Sequence, residues 1–467
     1  MLLQIRRKTI TPLLSLSIAA LLAAGCSGTN TTSTTPTNQN VVAGPAFVVG
    51  TDAPLASVTS FTVQVQSVDA IDSSGNSVSL ISGEPTVDFA RFNGLQTLLD
   101  MNDVPVGTYS SVSITLGPAT IGYLNQQAGA APTIQTEPAT LTNSTISIKL
   151  ATPLVINQAA PVGLHMDFDL AKSIQLDSTG QITGQVNPTF NVNAVGPSDS
   201  GAYIDEFDAA VVSVNTTAQS FVIQGPHGRN FTVIVNGQTE WENNESINSL
   251  STSSIIEISG TLDRADATID ADDVAILSQN AFYAAGQITY VQPSSGVATS
   301  FDLYVRALLP TTTGLSLGQI AQVDLNGQEN FFLYRWHNPL TEFLFNPSAL
   351  LPGQHVSIGG PASGAANAQA VTIKRVVLRQ WGFNGTIVPN SVNPSGNTFQ
   401  MQVNGFAGLL VPQTVTVYVA GPTVFRDGFT GLGSVGSGAK VRVVGLLLKD
   451  PISGQTVLLA HYVDSMS

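Results

Sequence analysis

The sequence is poor in the residues on which several classes of protein depend. Its 467 residues include a single cysteine, so no disulfide can form within the chain. Charged residues make up only 10% of it, and 31 acidic residues against 17 basic ones give a net charge of −14. Because such a chain repels phosphate backbones, we expect no nucleic acid among its partners.

Motifs for catalysis and for metal binding are also missing. The five histidines are scattered without the HExxH or HxH spacing of a zinc site, and no GxSxG nucleophile elbow is present. A GxGxxG match over residues 431–436 precedes a predicted strand, so no helix N-terminus follows it to receive a pyrophosphate. The sequence therefore predicts no enzyme and no cofactor.

The first thirty residues predict export followed by lipid attachment. Three basic residues at positions 6–8 precede an uncharged apolar stretch over residues 11–24. This stretch is shorter than the ~20 residues of a membrane-spanning helix, which favours a signal peptide. It ends in Leu22-Ala-Ala-Gly-Cys26, which resembles the lipobox of bacterial lipoproteins. The alternative is an ordinary secretory signal with a chance cysteine.

The lipobox resemblance implies that Cys26 carries acyl chains, palmitate among them. Residues 1–25 would then be the signal peptide, and residues 26–43, rich in Ser, Thr and Asn, a disordered tether. Acyl chains on one cysteine anchor a protein without a transmembrane helix. We therefore expect a lipid-anchored protein of the cell envelope, and Ser27 after the cysteine favours the outer membrane.

The chain beyond the tether is predicted to be all-β. Residues 61–68 alternate apolar and polar side chains with period two, as do residues 110–116 and 145–150. One exception is the segment from Phe89 to Met101, where leucines at helical spacing predict a short helix. Regularly spaced strands with turns between them indicate a β-sandwich over residues 44–197.

Several separated motifs in this region resemble a family of bacterial and archaeal lipoprotein domains, the domain of unknown function 4382. These motifs are Thr51-Asp-Ala-Pro54, Val104-Pro-Val-Gly-Thr-Tyr109, Met166-Asp-Phe-Asp169, Lys172-Ser173 and Asn187-Pro188. The resemblance implies a β-sandwich and an extracytoplasmic setting. It implies no activity.

The rest of the chain contains an internal repeat. Phe221, Phe301 and Phe399 each open a predicted strand, and later in each unit a matched strand ends at a glycine: Gly260, Gly359 or Gly445. We predict about three small β-barrel-like modules, at residues 200–280, 281–379 and 380–467. They resemble the domain of unknown function 5666 family of envelope proteins, and an insertion rich in aromatic residues distorts the second module.

Two clusters are candidate sites. Asp167 and Asp169 should share one face of a strand, and together with Asp52 they could bind Ca²⁺ or else cap turns at the strand end. Phe332, Tyr334 and Trp336 should share a strand face in the second module. An exposed row of these rings could stack on sugar rings or receive a partner protein, and the alternative is that they fill the module's core.

Two classes of function remain open from the sequence. The first is a non-catalytic envelope protein with a structural, adhesive or ligand-binding role, whose partners would be the membrane and a polysaccharide or envelope protein. The second is an extracytoplasmic carbohydrate-active hydrolase with paired carboxylates. Such a hydrolase needs two acids about 5–9.5 Å apart in one cleft. No spacing in the sequence nominates such a pair.

Overall fold

The structure is a computed structural model. It describes residues 42–53, 55, 58–92, 97–125, 131–158, 161–178, 181–196, 203–224, 230–241, 245–252, 254–262, 268–279, 281–309, 314–334, 343–403, 413–426 and 428–466. All of these belong to one compact unit, residues 41–467. The predicted signal peptide, Cys26 and the tether as far as residue 41 lie outside the described residues. Within the described part of the chain, no helix is long and apolar enough to cross a bilayer.

The N-terminal domain is a sandwich of two sheets. Its strands are β1 (Ala43–Ala53), β2 (Ser60–Asp72), β3 (Ser77–Ser79), β4 (Thr86–Asp88), β5 (Thr97–Pro105), β6 (Gly107–Asn125), β7 (Thr133–Leu141), β8 (Thr145–Ile156), β9 (Val162–Asp169), β10 (Ile174–Leu176), β11 (Ile182–Val186) and β12 (Phe190–Val195). A 3-10 turn (Phe89–Arg91) follows β4, and a one-turn helix, α1 (Leu170–Ser173), follows β9. The four-stranded sheet has the order β12-β9-β1-β5. The eight-stranded sheet runs β10-β11-β7-β6-β2-β3, with β4 on β2 and β8 on β6.

The predicted alternation along β2 forms one wall of the sandwich core. Phe61, Val63, Val65 and Val68 are buried, while the residues between them are at least partly exposed. Across the core, the Phe168 ring meets the Phe61 ring edge to face, with 5.1 Å between the ring centroids. The fold class predicted from sequence is therefore confirmed for this domain.

The predicted helix between Phe89 and Met101 is wrong in its extent. Among the described residues of this segment, Phe89–Arg91 form a 3-10 turn, and Leu98 and Leu99 lie in strand β5. In that strand Leu98 is buried on the face opposite Leu99. Antiparallel pairing of β5 with β1 decides the conformation, because tertiary pairing overrides a weak helical spacing.

Three modules follow the sandwich, and their strands have these bounds. Module 1 (residues 203–279) contains β13 (Tyr203–Asn215), β14 (Ser220–Gln224), β15 (Asn230–Ile234), β16 (Glu240–Trp241), β17 (Ser254–Leu262) and β18 (Ile269–Gln279). Module 2 (residues 281–379) contains β19 (Ala281–Gln292), β20 (Ser300–Leu309), β21 (Ile320–Asp324), β22 (Asn330–Leu333), β23 (His355–Pro361), β24 (Val371–Thr372) and β25 (Arg375–Arg379). Module 3 (residues 381–465) contains β26 (Trp381–Ile387), β27 (Thr398–Val403), β28 (Gln413–Arg426), β29 (Lys440–Lys449) and β30 (Thr456–Ser465).

The three modules share one topology. Module 3 is a closed barrel of order β26-β27-β28-β30-β29, in which β28 and β30 are parallel. Module 1 has the corresponding order β13-β14-β15-β18-β17, again with a parallel pair, β15 and β18. In module 2 the last strand is split into β24, which pairs with β21, and β25, which pairs with β23. Module 3 is thus a five-stranded Greek-key barrel of the OB type, and modules 1 and 2 repeat its strand order with added or split strands. This architecture by itself implies no function.

Local details repeat between the modules. A 3-10 turn precedes the fourth barrel strand in each, at Ile247–Ser249, Pro347–Ala349 and Leu432–Ser434. The Thr239 hydroxyl donates to the Ala271 carbonyl oxygen at 2.8 Å, and the Thr423 hydroxyl donates to that of Ala460 at 2.7 Å. The matched strands do not end at their glycines as predicted: β17 and β29 continue through Gly260 and Gly445, where the register shifts at a bulge.

The domains pack onto one another through shared apolar clusters. Phe47 and Val49 of β1 point away from the sandwich core and join the core of module 1. Ile255 and Leu277 of module 1 meet Tyr283 of module 2. Three leucines and one valine, from the C-terminal half of β29 and the N-terminal half of β30, enter the core of module 2. The barrels therefore form one packed body with the sandwich, because each boundary buries apolar side chains.

Candidate functional site

A cavity of about 450 Å³ lies where the sandwich meets module 1. The sandwich contributes β4, the 3-10 turn and β5, module 1 contributes β13 and the end of β14, and module 2 adds Leu309 at the end of β20. Six polar side chains line it among nine apolar residues: Thr86, Asp88, Arg91, Thr97, Asp208 and Gln224. Mostly apolar cavities between domains that hold a few convergent polar groups are typical small-molecule sites.

Asp88 and Arg91 reach the cavity because β4 ends there. Asp88 is the last residue of β4, and its Oδ1 accepts a hydrogen bond of 2.8 Å from the Phe61 backbone N–H. The 3-10 turn then places Arg91, which is exposed, with its guanidinium carbon 5.6 Å from the centre of the Phe92 ring. The sandwich side therefore presents one fixed carboxylate and one cation at the rim.

Asp208 of module 1 is a lining residue of the cavity, and its carboxylate is held by side chains of module 2. The Tyr283 hydroxyl donates to Asp208 Oδ2 at 2.9 Å, and the Arg379 guanidinium lies 3.6 Å from Asp208 Oδ1. Arg379 also donates to the Tyr283 hydroxyl and forms an ion pair with Glu257, which is opposite Asp208 in the β13–β17 register. Asp208, Glu257, Tyr283 and Arg379 together form a buried cluster, the arginine cluster.

A second buried arginine, Arg306 of module 2, interacts with Asp88. The Arg306 guanidinium carbon lies 5.3 Å from the Tyr304 ring centre and 5.2 Å from the Trp381 ring centre. It interacts electrostatically with Asp88 and with Asp52 of the sandwich. Arg306 and Arg379 of module 2 therefore each interact with one carboxylate of the cavity, so the polar lining depends on module 2 as well as on the sandwich and module 1.

Burial perturbs both acids of the cavity. Loss of hydration raises the pKa of Asp88, and the Arg306 charge and the Phe61 N–H only partly oppose the rise. Burial likewise raises the pKa of Asp208, against the opposing effects of Arg379 and the Tyr283 hydroxyl. Two acids with raised pKa values in one cavity mark it as a candidate functional site.

The structure does not bring the three aspartates of the predicted cation site together. Asp52 is paired with Phe168 in the parallel β1–β9 register and shares the buried face, whereas Asp167 and Asp169 project to the other face. Asp169 instead caps α1, accepting the Lys172 backbone N–H at 2.9 Å. Within the described residues, no group of three or more His, Cys, Asp or Glu side chains could hold a metal ion.

The predicted aromatic row is covered on the part that the structure describes. Tyr334 is only 3% exposed, and the Arg379 guanidinium carbon lies 5.5 Å from its ring centre. Phe332 is half-buried beneath Arg375, at 4.8 Å. On the opposite strand face, Phe331 packs against Phe345 in the module core. Trp336 lies outside the described residues. Pairing of β22 with β25 puts arginines over this face, so Tyr334 lies in the module interior, as in the alternative that these rings fill the core.

The sequence reasoning missed Asp88, Arg91 and Asp208. Asp88 and Asp208 are 120 residues apart, and no spacing rule connects a strand end in the sandwich with the first strand of a barrel. Two charged residues near these acids could have indicated a buried ionic cluster. Glu257 and Arg306 each interrupt an apolar strand in a chain with few charges. Buried charges are normally paired, so such positions predict an ionic cluster without identifying its members.

Comparison with known proteins supports the predicted family resemblance of the N-terminal sandwich. Residues 48–188 match the family described as "Domain of unknown function (DUF4382)". The predicted resemblance of the sandwich is confirmed. No curated protein matches the sequence. A solved structure titled "drosophila Unr CSD456" matches at 10% identity over 56% of this chain and 97% of that chain, with a TM-score of 0.13, too low to carry an argument.

Proposed function

We propose that this protein is a lipid-anchored, non-catalytic protein of the cell envelope that binds a small ligand in the cavity between the sandwich and module 1. The observation that carries the proposal is the cavity itself, whose acids are fixed by a backbone N–H, a tyrosine hydroxyl and buried arginines. Such a preorganised lining reduces the cost of ordering polar groups on binding. The lipobox at Cys26 supports the anchor and the outer membrane, and the net charge of −14 supports partners other than nucleic acid.

A binding screen tests the proposal on residues 27–467, which include the whole compact unit. The thermal midpoint of the wild type is measured with a library of small envelope-derived compounds, beside Arg91→Ala and Lys149→Ala. We expect a compound that raises the midpoint of the wild type and of Lys149→Ala by several degrees, with most of the shift lost in Arg91→Ala. Lys149 is the matched control, since it is exposed on β8 and does not line the cavity.

Two results would contradict the binding proposal. A compound that stabilises all three proteins equally would bind elsewhere on the molecule. A screen in which no compound raises the midpoint of the folded wild type would leave the cavity without a ligand and the protein with a structural role.

The hydrolase alternative is favoured by one observation, that Asp88 and Asp208 line the same cavity and both have a raised pKa. A glycosidase needs one such acid as a proton donor. However, Asp88 already accepts from Phe61 and Asp208 from Tyr283, which favours binding over proton transfer. Hydrolysis of nitrophenyl glycosides by the wild type, lost in Asp88→Asn, would favour the hydrolase instead.

A further inference from the structure

The polar lining of the cavity contains complementary hydrogen-bonding groups. When they are ionised, Asp88 and Asp208 can accept hydrogen bonds but cannot donate them, and Arg91 can donate but cannot accept. The remaining three side chains, Thr86, Thr97 and Gln224, can do both. An ammonium group satisfies the acceptors and leaves Arg91 without a partner, whereas an anion satisfies Arg91 and faces two carboxylates. A hydroxyl group both donates and accepts, so a ligand with several hydroxyls can satisfy every polar side chain of the lining.

Charge within and behind the cavity also disfavours an ionic ligand. Arg306 and Arg379 already offset part of the negative charge of Asp88 and Asp208, so a ligand does not need to bring a cation to the cavity. The chain as a whole is strongly acidic, with a net charge of −14, which repels anions over longer distances. A neutral ligand therefore incurs no electrostatic penalty from either effect.

The apolar lining fits the carbon skeleton of such a ligand. Leu98 and Leu99 from β5 and Phe207 from β13 line the cavity, so both the sandwich and module 1 contribute apolar residues beside the polar groups. Sugars carry hydroxyls around the edge of a ring whose faces are C–H groups, and such faces pack on apolar side chains. A volume of about 450 Å³ lies within the range of small-molecule sites and suits a short oligosaccharide.

We infer that the cavity binds a neutral, hydroxyl-rich ligand of the oligosaccharide class, with Asp88 and Asp208 accepting from its hydroxyls and Arg91 donating to its ring or hydroxyl oxygens. This inference rests on the proposed binding function and specifies its ligand. Lid motion or covalent chemistry is not required, because the walls and the polar groups are already in place.

Calorimetric titration of residues 27–467 tests the inference with trisaccharides of matched size. The neutral probes are maltotriose, cellotriose, mannotriose and tri-N-acetylchitotriose. The charged probes are the de-acetylated chitotriose, which is cationic, and trigalacturonate, which is anionic. We expect at least one neutral probe to bind at least tenfold more tightly than both charged probes.

Two variants place the binding in the cavity. Arg91→Ala removes the rim donor from an exposed position, and Ala210→Phe fills the cavity from β13 without changing charge. We expect each to weaken binding of the neutral probe at least tenfold, while Lys149→Ala leaves it unchanged. If Ala210→Phe fails to fold, Arg91→Ala still decides the question, since its side chain is exposed.

Each other outcome overturns the inference. Preference for the cationic trimer would make this an amine site, and preference for trigalacturonate an anion site centred on Arg91. Failure of all four neutral probes, together with a compound from the thermal screen that depends on Arg91, would reject the ligand class and keep the binding function. Failure of both experiments would reject the binding function as well.

Discussion

Arg379 and Glu257 form a buried ion pair in a chain where only one residue in ten is charged. Arg379 is 3% exposed, and it contacts Glu257 of module 1 and Tyr283 of its own module at the same time. Burying charges costs several kcal/mol per ion unless geometry and additional hydrogen bonds compensate. The arginine cluster is therefore a specific connection between two barrels, and it also holds Asp208 at the cavity.

Removal of the Arg379 guanidinium should destabilise the protein strongly. Arg379→Met leaves Glu257 and Asp208 buried without their cation, and we expect a loss of about 3–5 kcal/mol in the free energy of unfolding. Urea denaturation measures the loss. Addition of Glu257→Gln to this variant should recover part of it, since the uncompensated charge then disappears. An unchanged denaturation midpoint in Arg379→Met would show that the cluster contributes nothing to stability.

The buried side chain of His355 should make the stability of the protein depend on pH. Burial lowers the pKa of His355 to about 3, whereas an unfolded histidine titrates near 6.5. Because the unfolded chain binds the proton more readily, the contribution of this residue is complete above pH 6.5 and is lost as the pH falls toward 3. Between pH 7 and pH 5 the loss amounts to about 2 kcal/mol.

The comparison of wild type with His355→Gln isolates this effect from that of the acids, whose raised pKa values act in the opposite direction. We expect His355→Gln to lose less stability than the wild type between pH 7 and pH 5, as measured by chemical denaturation. His461→Gln, at a partly exposed position on β30, should follow the wild type. Parallel pH profiles for all three proteins would contradict the assignment.

At the scale of elements, the barrel strands bend at glycines that face a neighbouring backbone. A Cβ atom on Gly445 would lie 2.1 Å from the Leu459 carbonyl oxygen, and one on Gly260 would lie 2.1 Å from that of Asp270. Both glycines mark a register shift between the fourth and fifth barrel strands. These bulges let the strands turn and continue, which explains why β29 extends beyond its own barrel into the core of module 2.

Gly445→Ala should therefore destabilise the protein by about 1–3 kcal/mol, because the new methyl group cannot fit without displacement of β30. Gly436→Ala is the matched control from the same module, since a Cβ there meets no atom within 4 Å. Denaturant midpoints of the two variants provide the measurement. Equal stability of both variants would show that the close approach at Gly445 is not restrictive.

At the scale of the whole molecule, the sandwich and three barrels bury apolar surface at each successive boundary. Arg306 illustrates the result, since it lies on β20 of module 2, interacts with Asp88 of the sandwich and contacts Trp381 of module 3. The candidate site is thus a property of the assembled domains. A fragment that contained only the sandwich would lack Asp208 and both buried arginines.

The proposed anchor makes a prediction for the whole protein in its host cell. Cys26→Ala should abolish incorporation of labelled palmitate and move the protein from the membrane fraction to the soluble fraction, because the acyl chains are its attachment in this proposal. Ser27→Ala should keep both the label and the membrane location. Palmitate labelling that persists in Cys26→Ala would refute the lipobox interpretation.

The sequence by itself determined the fold class. Period-two alternation over residues 61–68 placed Phe61 and Val63 on the buried face of β2, and the recurring Phe221, Phe301 and Phe399 are buried in equivalent strands of three barrels. These patterns are local, since side chains alternate across a strand whatever it packs against. Spacing alone could not determine the conformation between Phe89 and Met101, because pairing with β1 makes the part from Thr97 onward a strand.

The candidate site was decided only by the tertiary structure. Asp88 and Asp208 converge because the outer face of the four-stranded sheet packs on module 1, and Arg306 and Arg379 reach them from module 2. These contacts join residues between about 120 and more than 200 positions apart, and a one-residue register change would point the side chains elsewhere. Strand register also separates Asp52 from Asp167. The two residues lie on paired strands, but the pleat directs their side chains to opposite faces of the sheet.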